Sequence, residues 1–478
     1  MKVISLIFCS LFLFKQIQIN AQFLVSATLL NTTDPSTLSS FTGLDLTFDV
    51  DMYKIIYNTT GVDGQPTIAS GAFCTPTNTS CTEFPIGVYE HGTSLKKGDV
   101  PSREVQEAYI GKIFAAGGYF VVMPDYLGMG DSPGLHPYCH AETEATATLD
   151  MIKAVREFIA NDLQMIDNGE LFLTGYSQGG HAAMATHKYI EDNNLLNEFN
   201  VLASAPCSGP YEISGAMADT IMATTYSKPG YIVYILASYQ LVYGNIFNSY
   251  SEILHSPYDS IVVPFFNGSN TSLGMTNLNN QLPGIIDSLI LDSVLQNFVN
   301  SASTLSHPLW QAMTDNDNHN WLPQRPVRMY YCTGDEQVTY QNAIAAETAM
   351  LANGAQNVEA INMGPGMHNE CVFPSLIDVY NWFDTYRTSC SNVDVENEIE
   401  MENVRVYPTP FFDRLNFDFK GLSEHSCSLF DSFGNLVLSI ENLSKNCSVD
   451  LSNISPGIYF LAIKSKNSRQ IKRLVKQK

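Results

Sequence analysis

The chain has 478 residues, 45% of them hydrophobic and 15% charged, which supplies a large buried core and more than one domain and excludes a disordered chain. Its formal charge of -23 argues against DNA, RNA or an anionic membrane surface as the main partner, because those need a basic footprint.

The N-terminus reads Met1-Lys2, then VISLIFCSLFLF, then KQIQINAQ. A cationic start, an apolar stretch too short to cross a bilayer and Ala21 before Gln22 predict a secretory signal peptide over residues 1–21, and so an exported protein. Cys9 sits too early in that stretch for a lipoprotein site. The nine other cysteines then meet an oxidising compartment, so some pair and one is left over, with Cys74 and Cys81 flanking turn residues as one candidate pair.

Residues 51–125 alternate strand-like runs with turns: MYKIIYNTT, TIASGAFCTP, FPIGVYEHGTS and YFVVMPDYLGMGDS, with a helical SREVQEAYIGKIFAAG before the last. A helix with Leu149, Ile152, Val155, Phe158 and Ile159 on one side leads to LFLTGYSQGGHAAMATHKY at 171–189. Strands are expected at 201–206, 327–332 and 358–363, each followed by loop or helix. This alternation predicts an α/β fold, a mostly parallel sheet with helices on both faces.

Between about 210 and 325 the alternation stops. The segment is rich in Tyr, Met, Leu and Ile, and it is too long for a loop, so it predicts an inserted helical cap with helix-like runs at 231–247 and 282–299. Gln240, Gly244 and Asn245 interrupt the first run, which fits a buried or lid helix rather than a transmembrane segment. The expected domains are an α/β body at 22–390, an acidic linker at 391–403 and an all-β, sandwich-like module at 404–478 marked by turns at Phe433-Gly434-Asn435 and Ser455-Pro456-Gly457.

A G-x-S-x-G pentapeptide alone is a weak signal, and its setting decides. Gly175 to Gly179 follow an apolar strand and open a helix, the strained turn that holds a serine up as a nucleophile. A serine hydroxyl needs a histidine to take its proton and a carboxylate behind that histidine. Asp335 follows the strand VRMYYC and His368 follows the next strand, so Ser177, Asp335 and His368 are the candidate catalytic residues, with Glu336 the rival acid. Cys332 precedes Asp335 by three residues and Cys371 follows His368 by three, so a hydrogen-bonded acid and base bring these sulfurs within bridging range. For the oxyanion hole, Gln178 supplies one backbone donor and Thr93, in the loop after IGVY, the second. The other histidines, 136, 140, 181, 187, 255, 307, 319 and 425, lack the strand-loop-helix setting. DNDNHN at 315–320 has the spaced oxygens of a calcium loop but neither its central glycine nor its closing glutamate, and neither dinucleotide nor zinc motifs occur, so no cofactor or metal is expected.

These residues resemble the triad of the α/β-hydrolase superfamily. MPDYLGMGDSPGLHPYCHAETEATATLDMIKAVR and DNDNHNWLPQRPVRMYYCTGDEQVTYQNA resemble, more specifically, the secretory-lipase-like hydrolases over roughly residues 50–388. That resemblance implies an esterase or lipase with a helical cap, forming an acyl-enzyme on Ser177. Tyr340 stands where such chains often carry proline. The tail, with VYPTPFFDRLNF, LFDSFGNLV, DLSNISPGIYFLAI and a basic ending, resembles the C-terminal sorting domain of type IX secretion, with Thr409 in place of the usual asparagine. That likeness implies the type IX machinery as partner and a secreted or surface-attached product. The expected substrate is a small-molecule or lipid ester, the alternatives being a carbohydrate-linked ester, a peptide bond, or a non-catalytic binding role on the same fold.

Overall fold

The computed structural model describes residues 22–388, apart from 43 and 271, and residues 404–477, apart from 420–424, 432–435, 444–446 and 465–468. The signal segment 1–21 and the linker 391–403 lie outside these residues. The chain divides into two units, Met1–Cys390 and Ser391–Lys478.

The first unit is built on nine strands: β1 Leu24–Thr33, β2 Asp49–Thr60, β3 Pro66–Thr77, β4 Glu83–Glu90, β5 Phe120–Pro124, β6 Ile166–Tyr176, β7 Val201–Cys207, β8 Val327–Tyr331 and β9 Val358–Asn362. They lie side by side in the order β1-β2-β3-β5-β4-β6-β7-β8-β9. The β1, β2, β3 and β5 pairings are antiparallel, and every pairing from β5 through β4 to β9 is parallel. Helices follow as α1 Pro35–Thr42, α2 Ala108–Ala116, α3 Ala141–Phe158 and α4 Gln178–Asp192.

Alternation along the buried strands divides the core between the two faces of the sheet. On β5, Val121 and Met123 join α2 and the helix Val372–Asp384 on one face, while Phe120 and Val122 join α3 on the other. On β6, Phe172 faces the first layer, and Leu171 and Leu173 face the second with Ile190 of α4. Both faces being covered, the central strands read as continuous apolar runs. In register, Glu90 stands beside Gly175, Tyr176 beside Cys207 and Tyr331 beside Asn362. The loops after β4, β6, β8 and β9 therefore leave one edge together, the carboxyl edge where open α/β sheets bind ligands.

Between β7 and β8 the chain leaves the sheet for a series of helices, among them α5 Ala218–Ala223 and α6 Pro229–Tyr243. These pack into a separate apolar cluster that includes Val233, Leu236, Ala237, Leu278, Leu289, Phe298 and Trp310. Helix α6 starts at Pro229, where a missing N–H costs nothing, and stops at Gly244, whose φ of +70° favours glycine.

Three expectations need correction, and one strand lies outside the expected set. The run 282–299 is not one helix: Ile290 is extended (φ -96°, ψ 140°) and bridges Leu254, splitting the run into Ile286–Leu289 and Asp292–Asn300. The strand β1 has little periodicity of its own and exists through its antiparallel pairing with β2. Cys74 and Cys81 are not paired with each other: Cys74 is a free thiol on β3 turned into the core, and Cys81 is oxidised in a different disulfide. More than one cysteine is unpaired, because Cys74, Cys139, Cys207 and Cys427 are buried as small apolar groups, with Cys447 half-buried.

The second unit holds two antiparallel sheets. One comprises β10 Val404–Tyr407, β11 Arg414–Phe419 and β14 Cys447–Asp450; the other β12 His425–Asp431, β13 Leu436–Leu443, β15 Gly457–Lys464 and β16 Arg469–Lys476. Phe417, Leu429, Leu461 and Leu474 share its core. The Lys476 ammonium is buried and donates to the carbonyls of Leu451, Ser452 and Ile454. Among the described residues, no helix is long and apolar enough to cross a membrane.

Candidate active site

Strand β6 ends at Tyr176 and α4 begins at Gln178, which leaves Ser177 alone at the junction with φ 62° and ψ -120°. A non-glycine residue held there is strained, and such strain collects at functional turns. The motif glycines show what enforces it. A Cβ on Gly179 would lie 1.8 Å from the Glu90 carbonyl oxygen, and one on Gly175 would lie 2.3 Å from the Gly179 carbonyl oxygen. Both are backbone contacts that cannot yield, so only glycine lets the elbow nest against the end of β4.

Asp335 and His368 meet. The His368 Nδ1 lies 2.7 Å from Asp335 Oδ2, and both side chains are buried. The other Asp335 oxygen accepts the backbone N–H groups of Gln337 and Val338 at 2.9 Å each, which fixes the orientation of the carboxylate. Glu336, the rival acid, accepts the backbone N–H of His368 at 3.0 Å instead of its ring. With its Nδ1 given to Asp335, the imidazole has Nε2 left to face a partner. Tyr176, next to Ser177, donates its hydroxyl to the His368 carbonyl at 2.6 Å and packs its ring 5.1 Å from the imidazole. A disulfide joins Cys332 to Cys371 with a Cα separation of 6.0 Å, tying the acid loop to the base loop as the spacing of the two cysteines predicts.

On the opposite flank, the loop after β4 approaches the elbow closely. A Cβ on Gly92 would lie 3.5 Å from the Tyr176 carbonyl and 3.8 Å from Ser177 Cβ. Thr93 follows; its hydroxyl meets the Tyr138 hydroxyl at 3.0 Å, and among the described residues its N–H has no acceptor. Gln178 is the first residue of α4, where backbone N–H groups lack helical partners. Its side-chain amide donates to Glu144 at 2.9 Å and to His136 Nε2 at 2.7 Å.

The histidines other than His368 sit in distinct environments. His136 is buried, with Nδ1 donating to the Leu127 carbonyl, and burial pushes it down to about 3, so it stays neutral. Burial likewise holds His140 down at about 4. His181 is fully buried: burial opposes its charged form, but the Glu144 carboxylate at 2.7 Å outweighs it and raises the imidazole above its ordinary value. Cys139, Glu144 and His181 bring one ligand atom each within 4.8 Å of one another. The His181 nitrogens already meet Glu144 and the Asn316 carbonyl, and the Glu144 oxygens meet His181 and Gln178, so hydrogen bonding accounts for the cluster. The calcium-like loop is similarly spent: Asp317 accepts from Ile213 N, Ser214 N and the Ser214 hydroxyl.

The cap is moored to both flanks. Tyr226 and Ser227 donate to the carbonyls of Gln337 and Glu336, Tyr231 donates to the Gln337 side chain, and Tyr234 donates to the Ser94 carbonyl. Inside the cap is an apolar cavity of about 240 Å³ walled by residues such as Met217, Ile235, Phe247, Ile290 and Leu295. Ser177 is not in its wall; the cavity reaches the site through Tyr138, which meets Thr93, and Val338, which is bound to Asp335.

Sequence reasoning missed the buried acid Glu144 and the loop-holding Glu107. The first had a signal: Glu144 lies on the helical stripe that continues through Thr148 and Ile152, so a charge falls on the inward face of α3. Glu107, whose carboxylate accepts the Gly92 N–H, had none, since that partner is fifteen residues away in a loop.

Residues 104–384, more than half of the chain, match the family model described as secretory lipase. The chain belongs to the secretory lipase family. Residues 405–477 match the secretion system C-terminal sorting domain. A comparison with curated proteins finds no match. Among solved structures, the rice cell wall degrading esterase LipA from Xanthomonas oryzae is 27% identical, with 77% of this chain and 100% of that one covered and a TM-score of 0.69. A putative hydrolase from Legionella pneumophila is 26% identical over 77% and 99% of the two chains, with a TM-score of 0.69. Candida antarctica lipase A, 18% identical over 77% and 83% with a TM-score of 0.56, shares the fold. This member of the family is thus an ester hydrolase whose C-terminal unit directs export by the type IX route, to the medium or the cell surface.

Proposed function

We propose that this secretory lipase family member cleaves carboxylic esters through an acyl-enzyme on Ser177. His368 takes the serine proton through Nε2, and Asp335 holds the imidazole in the required tautomer and balances its charge. The carbonyl carbon becomes tetrahedral, and the oxyanion turns toward the N–H groups of Gln178 and Thr93. His368 then returns the proton to the departing alcohol, and water repeats the sequence to release the acid. The observation that carries this reading is the left-handed backbone of Ser177 with the Asp335-bound His368 packed against its neighbour Tyr176.

For the substrate, the cap cavity supports a lipid ester: its wall is apolar, and it borders both the acid turn and Thr93, so an acyl chain would lie in the cap while its carbonyl stands at Ser177. A second reading, an ester carried on cell-wall carbohydrate, draws on the name of the Xanthomonas relative. A panel of tributyrin, a long-chain triglyceride and acetyl-xylan separates the two. A fluorophosphonate probe tests the chemistry itself. Labelling at Ser177, abolished in Ser177→Ala along with a fall in turnover of about 10⁴-fold or more, is expected; an unlabelled folded protein would favour a binding role without catalysis.

A further inference from the structure

The geometry points to Glu107 as a positioning residue for the oxyanion hole, acting through the backbone of the loop after β4. The inference rests on the role proposed above for Thr93 and concerns what aims its N–H.

Two planar peptide units lead into Thr93. In the unit His91–Gly92, the carbonyl oxygen accepts the Tyr126 hydroxyl at 3.0 Å and the N–H donates to Glu107 Oε2 at 2.9 Å, so the plane is gripped at both ends. In the unit Gly92–Thr93, the carbonyl oxygen lies 2.7 Å from His91 Nδ1; a carbonyl can only accept, so the imidazole donates. A trans peptide points its N–H opposite to its C=O, and the Thr93 N–H is therefore held in one direction. Of the four polar groups in the two units, it alone has no hydrogen-bond partner among the described residues.

Glu107 turns its carboxylate away from its own helix. It is the N-terminal cap residue of α2, yet its carboxylate makes no capping hydrogen bond. It reaches across to Gly92, and the Tyr89 hydroxyl donates to the same oxygen at 2.8 Å. A Cβ on Gly92 would lie 3.3 Å from Glu107 Oε1 as well as 3.8 Å from Ser177 Cβ, so carboxylate, loop and candidate nucleophile converge around Gly92.

The test compares Glu107→Ala and Glu107→Gln with the full chain in ester hydrolysis, fluorophosphonate labelling and thermal melting. Removing an oxyanion donor outright costs about 10²–10³ in kcat, so misaiming one predicts a fall of about tenfold or more in Glu107→Ala, with KM changed by less than about twofold and labelling slowed in parallel. The amide oxygen of Glu107→Gln still accepts the Gly92 N–H and should hold kcat within about threefold of the wild type. The inference is overturned by a normal kcat in Glu107→Ala, by a loss confined to KM, or by equal losses in the two variants. Should Glu107→Ala not fold, Glu107→Asp, which withdraws the carboxylate by one methylene, takes its place with the same expected and overturning results. Ser177→Ala in the same assay keeps the two levels apart. Activity in that variant sinks the underlying site, whereas an inactive Ser177→Ala beside a fully active Glu107→Ala sinks only the role of Glu107.

Discussion

The two flanks of Ser177 are held by different means. On the acid and base side, a covalent bond between Cys332 and Cys371 ties the loops, and a carboxylate with two backbone donors faces the imidazole. On the donor side, side-chain hydrogen bonds from Glu107, Tyr126 and His91 hold the loop, and Glu144 and His136 hold Gln178. In the proposed mechanism, the groups that move the proton are secured by a bond that depends on redox state, and the groups that receive the oxyanion by buried polar contacts. An exported enzyme has an oxidising compartment for the first and a folded, dry interior for the second.

The sharpest way to break this contrast is Asp335→Asn. It keeps the shape of the acid side but loses the tautomer control, and kcat should fall about 10⁴-fold while the melting temperature changes little, as read by steady-state kinetics and calorimetry. Next is the staple. The Cys332 and Cys371 pair encloses a separation of 39 residues, and replacing both with serine should cost about 3–4 kcal/mol of stability in urea unfolding. Activity of the surviving folded fraction should fall as well, because acid and base are no longer tied; full activity per folded molecule would reduce the disulfide to a stability device.

The donor side responds to pH instead. Burial pushes the Glu90 carboxyl up to about 8 from an ordinary value of 4.5, and its Oε2 has no partner among the described residues. The folded protein thus binds a proton that the unfolded chain releases. The stability this supplies is complete below pH 4.5 and is lost as pH rises toward 8. Glu90→Gln removes the titration, so relative to wild type it should gain on the order of 3 kcal/mol between pH 5 and pH 8 in denaturant unfolding. A pH-independent difference would mean that Glu90 is ionised in the fold. The smallest effect concerns the cap. Ile235→Trp fills part of the cavity and should lower kcat/KM for long acyl esters about tenfold relative to butyrate esters. Equal loss on both would place the acyl chain elsewhere.

What could be read in the sequence follows the same divide. The elbow, the acid turn and the base loop each follow an apolar strand of the parallel sheet, so local pattern placed Ser177, Asp335 and His368, and the symmetric spacing of Cys332 and Cys371 around them predicted their bond. The sheet itself was legible for that reason, apart from β1, which depends on its pairing with β2. The clamps on the donor side were not legible. Glu107 and Tyr126 act on backbone atoms far from them in sequence, and nothing in their own neighbourhoods marks that. The cap resisted for another reason: its helices are short and buried against one another, so apolar periodicity runs through breaks such as Ile290 that only a tertiary contact with Leu254 creates.

Helix α6 spans this divide. Tyr231 reaches the acid turn at Gln337 and Tyr234, three residues on, reaches Ser94 beside the donor loop. At about 1.5 Å of rise per residue, a single turn of helix acts as a calliper that sets the gap between the two halves of the machinery. Such an element cannot shift without breaking its hydrogen bonds to both loops at once, so the two flanks are spaced by one rigid turn.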